Sequence, residues 1–136
     1  MHTGSCLCGA VRYEVAGELA PIQLCHCSMC RRASGTVFAS NLPVRAADFR
    51  IVAGEASLKS YESKPGKERL FCAECGSPII SRSAGDPGMV RVRVGTLNEP
   101  VGARLAFHFH TASKAGWAPI TDDLPQYPAA RPDSRA

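Results

Sequence analysis

Seven cysteines among 136 residues constrain this chain more than any other feature of its sequence. They fall into three segments: Cys6-Leu7-Cys8-Gly9, Cys25-His26-Cys27-Ser28-Met29-Cys30 and Cys72-Ala73-Glu74-Cys75-Gly76. An odd number of cysteines excludes complete pairing into disulfides within the chain. The first residues show no basic segment followed by an apolar one, so we expect a cytoplasmic protein in a reducing compartment, where disulfides do not persist.

The spacing of the cysteines indicates metal binding. Thiolates two or three residues apart converge on one metal ion when a tight turn points both sulfurs inward. Gly9 and Gly76 follow Cys8 and Cys75, and glycine suits the positive φ that such a turn often needs. One alternative is a redox dithiol at Cys72 and Cys75, which lacks the βαβ context of a thioredoxin-like motif. The other is a set of inert buried cysteines, which would not cluster in this way.

The number of cysteines predicts two sites of different kinds. A tetrahedral zinc site takes four ligands, so seven cysteines divide naturally into four and three. Two pairs from distant parts of the chain would form a closed, structural site: Cys6, Cys8, Cys72 and Cys75. One short segment would form a site that keeps a position open for water or substrate: Cys25, Cys27 and Cys30.

The rest of the sequence predicts a mainly β fold of short antiparallel strands with few short helical turns. Apolar and polar residues alternate over residues 11–15, 90–94 and 105–110. Weaker strand signals cover residues 36–42, 49–52, 58–61, 68–71 and 78–82, and helical turns are expected at 28–33 and 45–48. Twelve glycines and ten prolines leave little room for long helices. We predict one domain over residues 1–127 and a disordered tail over 128–136.

Charge and hydropathy indicate which classes of partner this chain suits. The formal net charge is +4 and hydrophobic residues make up 45%, which is typical of a soluble globular protein. Arg31-Arg32 is the only adjacent pair of cations, so a nucleic-acid partner is not indicated, and a small anionic ligand suits this charge equally well. No run approaches the roughly 18 apolar residues of a membrane span, so we expect no membrane partner.

Five segments resemble the glutathione-dependent formaldehyde-activating enzyme family, which also includes centromere protein V. The resemblance covers residues 4 to 128 in order and is carried by residues 4–13, 25–35, 71–79, 94–97 and 108–125. The first and third of these contain Gly4-Ser5-Cys6-Leu7-Cys8-Gly9 and Phe71-Cys72-Ala73-Glu74-Cys75-Gly76. The last contains Ser113-Lys114, Trp117 and Asp123-Leu124-Pro125.

This resemblance implies a β-rich, Mss4-like fold with two zinc ions per chain. Cys6, Cys8, Cys72 and Cys75 match the family's structural zinc ligands, and Cys25, Cys27 and Cys30 match its catalytic ones. The family's named reaction joins glutathione and formaldehyde into S-hydroxymethylglutathione, which is a carbon–sulfur lyase reaction run in reverse. The expected partners are therefore a small-molecule thiol and an aldehyde.

Seven residues are candidates for substrate binding, each with a structural alternative. They are Arg31, Arg32, Ser34, Gly35, His108, Lys114 and Trp117. A guanidinium pairs with a ligand carboxylate, and backbone N–H groups at Ser34-Gly35 suit an oxyanion, but exposed charges and a plain turn give the same sequence. On the strand at 105–110, His108 and His110 would share one face, with Phe107 and Phe109 pointing into the core.

The leading hypothesis is a zinc-dependent carbon–sulfur lyase. The alternative is a non-catalytic module with two zinc ions that binds protein or nucleic acid. A thiol-redox enzyme of related fold is a third hypothesis, and it predicts a reactive cysteine outside the clusters, which this chain lacks. The oligomeric state is not indicated by the sequence.

Overall fold

Two β-sheets organise residues 1–132, the part of the chain that the computed structural model describes. The small sheet has the order β1 (His2–Ser5), β2 (Arg12–Val15) and β5 (Phe49–Ala53). The large sheet has the order β10 (Leu105–Phe109), β3 (Ile22–Cys25), β4 (Ala39–Arg45), β9 (Met89–Arg93), β8 (Pro78–Ser83), β7 (Lys67–Cys72) and β6 (Leu58–Lys64). One α-helix, α1 (Ser28–Ser34), follows β3. Short 3-10 turns occupy Ala46–Asp48, Glu55–Ser57, Val94–Thr96 and Thr111–Ser113.

Strand alternation gives the large sheet one apolar face. Leu42 and Val44 on β4 lie opposite Val92 and Val90 on β9, and these four side chains are at most 7% exposed. They pack with residues of the small sheet into the main core. Burying these aliphatic side chains contributes about 1.5–3 kcal/mol each to folding, so the core holds the two sheets together.

The other face of the large sheet is polar although it is also largely buried. On β9, Arg91 and Arg93 alternate with the core valines, and both are 8% exposed. On β7, Arg69 lies opposite Ser81 of β8, which is fully buried. Residues that pair across strands project on the same side of a sheet. This polar face, which we call the site face, therefore collects charged side chains from several strands.

The mainly β prediction is confirmed, and its strand boundaries differ in informative places. The strands β1 and β3 were not predicted from the sequence, because neither shows a clear alternation of apolar and polar residues. The strand β10 runs parallel to β3, whereas the other strand pairs within residues 1–132 are antiparallel.

The prediction that His108 and His110 share one face of a strand is wrong, because the strand ends at Phe109. His108 is 3% exposed because the strand is covered on both sides. Phe107 is buried at 4% exposed, and Phe109 is partly buried against the cluster of Cys25, Cys30 and Ala39. His110 lies beyond the end of β10 with a φ of 55°, in the left-handed region. The left-handed residue turns the chain away from the sheet.

The C-terminal segment runs beside the end of β10. The amides of His110 and Ala112 donate to the carbonyl oxygens of Ala129 and Pro128, at 3.0 and 3.2 Å. Of the tail predicted over 128–136, residues 133–136 lie outside the described residues. Within residues 1–132, no helix combines the length and the apolar character that crossing a membrane requires.

A glycine next to the first cysteine turn gives a test of the fold. Gly54 has a φ of 78°, and a Cβ added to it would overlap the carbonyl oxygen of Ala10. Gly17 has a φ of 82° and no atom within 4 Å of the same position. We predict that Gly17→Ala costs about 1–2 kcal/mol of unfolding free energy through backbone strain alone. Gly54→Ala should cost about 3 kcal/mol or more, because the clash adds to the strain.

Urea unfolding of the metal-loaded variants measures both costs. Equal losses of unfolding free energy in the two variants would show that the contact between Gly54 and Ala10 is not tight.

Candidate metal centres and the adjoining cavity

The structure brings four cysteine sulfurs together from two distant parts of the chain. The Sγ atoms of Cys6, Cys8, Cys72 and Cys75 all lie within 4.8 Å of one another. The Sγ atom of Cys8 is 3.6 Å from that of Cys6 and 3.8 Å from that of Cys72. Four thiolates around a tetrahedral zinc, each about 2.3 Å from the metal, are about 3.8 Å apart. A disulfide needs about 2.05 Å, so this spacing fits a metal ion and not a disulfide.

Two glycine turns aim these sulfurs inward. Gly9 and Gly76 have φ values of 81° and 82°, as the sequence predicted for the residues that follow Cys8 and Cys75. Their amides donate to the carbonyl oxygens three or four residues earlier, on Cys6 at 3.2 Å and Cys72 at 2.8 Å. Each pair of cysteines is therefore held by a closed turn of its own.

Ser77 connects the two turns, and sequence reasoning missed it. Its Oγ accepts a hydrogen bond from the amide of Leu7 at 2.9 Å and lies 3.3 Å from the Sγ of Cys75. The hydrogen bond between the Ser77 hydroxyl and the Cys75 thiol, together with one from the Ser77 backbone, lowers the pKa of the Cys75 thiol to about 5. A lowered pKa favours the thiolate, which is the metal-binding form. The sequence signals for Ser77 are its place directly after Gly76 and its position within the family segment 71–79.

The second group is the three-cysteine centre, formed by Cys25, Cys27 and Cys30. Cys25 ends β3, Cys27 caps the N-terminus of α1, and Cys30 lies in the first turn of that helix. Their Sγ atoms lie within 4.8 Å of one another, and no other His, Cys, Asp or Glu of residues 1–132 adds a ligand atom to the group. The amide of Cys30 donates to the Sγ of Cys27 at 3.3 Å.

Cys27 and Cys25 have thiol pKa values that are shifted in opposite directions. Hydrogen bonds from the side chains of Cys25 and Cys30 hold the pKa of Cys27 far below the ordinary value, while the same contacts raise the pKa of Cys25. Cys27 is also the member of the centre that lines a cavity.

Arg69 is a partner of the three-cysteine centre that sequence reasoning missed. Both of its Nη atoms lie 3.7 Å from the Sγ of Cys30, and its Nε donates to the Oγ of Ser63 at 3.1 Å. The side chain is only 9% exposed. The sequence offered no sign of this contact, because Arg69 is 39 residues from Cys30 and reaches it only through the pairing of the sheet.

Two buried histidines and an exposed aspartate form a hydrogen-bonded chain that begins between Cys25 and Cys27, at His26. The Nε2 of His26 is 2.7 Å from the Nδ1 of His108, and the Nε2 of His108 is 2.9 Å from the Oδ2 of Asp122. Burial lowers the pKa of His26, and the hydrogen bond from His108 lowers that of Asp122. When Asp122 is ionised and His108 is neutral, the Nε2 of His108 donates to the carboxylate and its Nδ1 accepts from the Nε2 of His26. The Nδ1 of His26 is then an acceptor, and it has no partner within residues 1–132.

Four of the seven substrate-binding candidates make contacts within the protein. His108 is held between His26 and Asp122 in the hydrogen-bonded chain just described. The Nε of Arg31 donates to the carbonyl oxygen of Ser113 at 3.1 Å. The amide of Gly35 donates to the carbonyl oxygen of Arg31 at 2.8 Å, which leaves it no hydrogen for an oxyanion. The hydroxyl of Ser34 lies 3.3 Å from the carbonyl oxygen of Phe38.

The remaining three candidates are exposed. Trp117 is 72% exposed. Arg32 and Lys114 also lie at the surface. None of the seven candidates lines the cavity beside Cys27, and their role in substrate binding stays a prediction.

The cavity beside Cys27 has a volume of about 400 Å³. Its walls include Lys64, Lys67, Arg69 and His110. A larger cavity of about 530 Å³ is lined by residues such as His2 and Glu18 and contains no cysteine, so it lacks the chemistry of the first.

Metal content distinguishes the two centres. We predict two divalent ions per chain, and one ion in each of Cys8→Ser and Cys27→Ser. The first substitution should also lower the melting temperature by about 10 °C or more, equivalent to about 3 kcal/mol. Cys8 belongs to the four-cysteine group, which joins two distant segments of the chain. The second substitution should lower the melting temperature less, because its centre closes only a short loop.

Elemental analysis and thermal unfolding measure these two effects. Either variant retaining two ions would contradict the assignment of the substituted cysteine.

The pair of Asp122 and His108 predicts a dependence on pH. Because the folded-state pKa of Asp122 is below its unfolded value, the stabilisation is present above the unfolded pKa and is lost as the pH falls through the folded one. The carboxyl carbon resonance of Asp122 should titrate below about 3.9, the ordinary midpoint of aspartate. His108→Gln should raise that midpoint, and His110→Asn should leave it unchanged. An unchanged midpoint in His108→Gln would show that the hydrogen bond does not set it.

Comparisons with known proteins agree with this geometry. Residues 1–113 match the family model described as glutathione-dependent formaldehyde-activating enzyme. A protein of Halomonas elongata that bears the same family name is 39% identical over 84 residues, which are 56% of this chain and 52% of that protein. An uncharacterised lyase of Schizosaccharomyces pombe is 27% identical over 78 residues, which are 57% of this chain and 55% of that protein.

The chain thus spans about half the length of the curated relatives it matches. A solved crystal structure of a Rhodobacter sphaeroides protein is also similar, with a TM-score of 0.62 and 32% sequence identity. That alignment covers 72% of this chain and 89% of the other. The family match extends over most of the chain and includes all seven cysteines of the two centres. The chain belongs to the glutathione-dependent formaldehyde-activating enzyme family.

Proposed function

We propose that this protein is a zinc-dependent carbon–sulfur lyase that joins glutathione to formaldehyde and splits the same adduct in reverse. One observation carries the proposal: three cysteine sulfurs converge beside a cavity and have no fourth protein ligand within residues 1–132. Membership of the family and a relative named as a lyase support it.

The donor atoms fit zinc at both centres. Sulfur ligands suit zinc, and the spacing of the four-cysteine group is that of a tetrahedral site. In this proposal Cys6, Cys8, Cys72 and Cys75 hold a structural ion, and Cys25, Cys27 and Cys30 hold the catalytic one. A zinc ion at the three-cysteine centre would lower the pKa of a substrate thiol and so supply a thiolate at neutral pH.

The proposed reaction moves one proton from the thiol to the new hydroxyl group. In the forward direction the substrate sulfur forms a bond to the carbonyl carbon of formaldehyde, and the π electron pair of the carbonyl moves to its oxygen. That oxygen then takes up the proton that the thiol has lost. His110 lines the same cavity as Cys27, and its imidazole is suited to hold this proton between the two events.

The cavity favours an enzyme over a non-catalytic zinc module. A module that uses zinc only for structure needs closed ligand sets and has no use for a cavity of about 400 Å³ against one of them. All seven cysteines are free, which supports a reducing, cytoplasmic location as part of the proposal.

Exchange spectroscopy tests the proposed reaction. With glutathione and formaldehyde in equilibrium with their adduct, the zinc-loaded protein should accelerate the exchange between free and adduct forms seen by NMR. His110→Asn, whose side chain tolerates the left-handed backbone, should reduce the acceleration by about 10²-fold. Cys27→Ser should abolish it.

Lys59→Gln is the matched control, because Lys59 is exposed and lies outside the cavity. It should keep the full acceleration. Exchange no faster with the zinc-loaded protein than in buffer would contradict the proposed function.

A further inference from the structure

Four basic side chains lie together on the site face of the large sheet: Lys67, Arg69, Arg91 and Arg93. The register of the sheet brings them there. Arg69 lies opposite Ser81, and Ser81 lies opposite Arg91, so these side chains form one row across β7, β8 and β9. Lys67 and Arg93 each follow the row at a distance of two residues and share its face. We call these four residues the cation cluster.

The cation cluster is largely buried, and three of its four members lack an acidic partner among the described residues. Its three arginines are 8–9% exposed. No carboxylate of residues 1–132 forms an ion pair with Lys67, Arg69 or Arg93. Arg93 instead donates from Nη1 to the Oδ1 of Asn41. Burial lowers the pKa of both Lys67 and Arg93, and neighbouring cations lower them further. Buried charge of one sign is costly unless an opposite charge approaches it.

The three-cysteine centre cannot balance this charge by itself. Arg69 contacts the Sγ of Cys30, so part of the cation cluster does face the sulfurs. Three thiolates around a divalent ion carry one net negative charge, whereas Lys67, Arg69 and Arg93 alone carry three positive charges and form no ion pair with a carboxylate of residues 1–132. An excess of positive charge therefore remains beside the cysteines.

The cavity gives a ligand access to two members of the cation cluster. Lys67 and Arg69 line it together with Cys27, and Lys64 adds a further cation. No Asp or Glu of the described residues contributes to its walls. A guanidinium has five N–H donors, and Arg69 directs three of them to Ser63 and Cys30. The other two make no hydrogen bond within residues 1–132, and Arg69 lines the cavity that contains Cys27.

We propose that Lys67 and Arg69 form a carboxylate-binding subsite that makes the protein selective for thiols carrying a carboxylate. This inference rests on the proposed function, because it takes a thiol at the three-cysteine centre as given. The ammonium and the guanidinium recognise a carboxylate through charge-assisted hydrogen bonds. Both residues determine specificity, and neither takes part in forming the carbon–sulfur bond.

A pair of small thiols isolates the contribution of the carboxylate. The protein is loaded with Co²⁺, and the thiolate-to-cobalt absorption is followed during titration with 3-mercaptopropionate or with uncharged 3-mercapto-1-propanol. Wild-type protein should bind the acid about tenfold more tightly than the alcohol, as expected for a hydrogen bond between charged groups. Lys67→Gln and Arg69→Gln should each reduce this ratio towards one.

Two further variants separate recognition from structural damage. Lys67→Arg keeps the charge and should restore most of the preference for the acid. Lys59→Gln removes a cation outside the cavity and should leave the ratio unchanged. Affinity for the alcohol should stay the same in every variant, which shows that the three-cysteine centre is intact.

The outcomes distinguish this inference from the proposed function. Equal affinity of wild-type protein for the two thiols, with both changing the absorption, would overturn the subsite and leave the proposed function standing. An unchanged ratio in both Lys67→Gln and Arg69→Gln would also overturn the subsite. No change in absorption with either thiol would overturn both proposals.

Discussion

Convergence of the sulfurs of Cys6, Cys8, Cys72 and Cys75 is the constraint on which the rest of this structure depends. The contact between Cys8 and Cys72 spans 64 residues of chain and joins the loop of the small sheet to the end of β7 in the large one. Joining such distant segments removes much of the freedom of the unfolded chain. Because β7 also carries Arg69, the four-cysteine group helps to position the strand whose Arg69 side chain contacts Cys30.

Strand alternation gives the large sheet an apolar face that forms the core and a polar site face. Val90 and Val92 build the core, while Arg91 and Arg93, one residue away, face the other side. Cys25 pairs with Ala39 and Asn41 pairs with Arg93, so the three-cysteine centre and the cation cluster share that face. A sheet that is stabilised on one side by apolar packing can thus hold costly buried charge on the other.

Features that depend on residues close together in the sequence were predicted. Contacts that depend on which strands pair, and in which register, were missed. Cys25, Cys27 and Cys30 lie within six residues, so their convergence follows from local turns. Gly9 and Gly76 likewise have the positive φ expected of them. The contacts of Arg69 with Cys30 and of His26 with His108 span 39 and 82 residues. No local pattern encodes which strands become neighbours, and the parallel pairing of β10 with β3 was not anticipated for the same reason.

The central claim is that three cysteines hold a metal ion whose remaining position accepts the substrate thiol. X-ray absorption at the zinc edge, recorded without and with glutathione, tests it most directly. With seven cysteines on two ions, the account predicts an average sulfur count half way between three and four per zinc for the protein alone. With glutathione it predicts four, as a lighter ligand is replaced. A sulfur count that glutathione leaves unchanged would contradict the account.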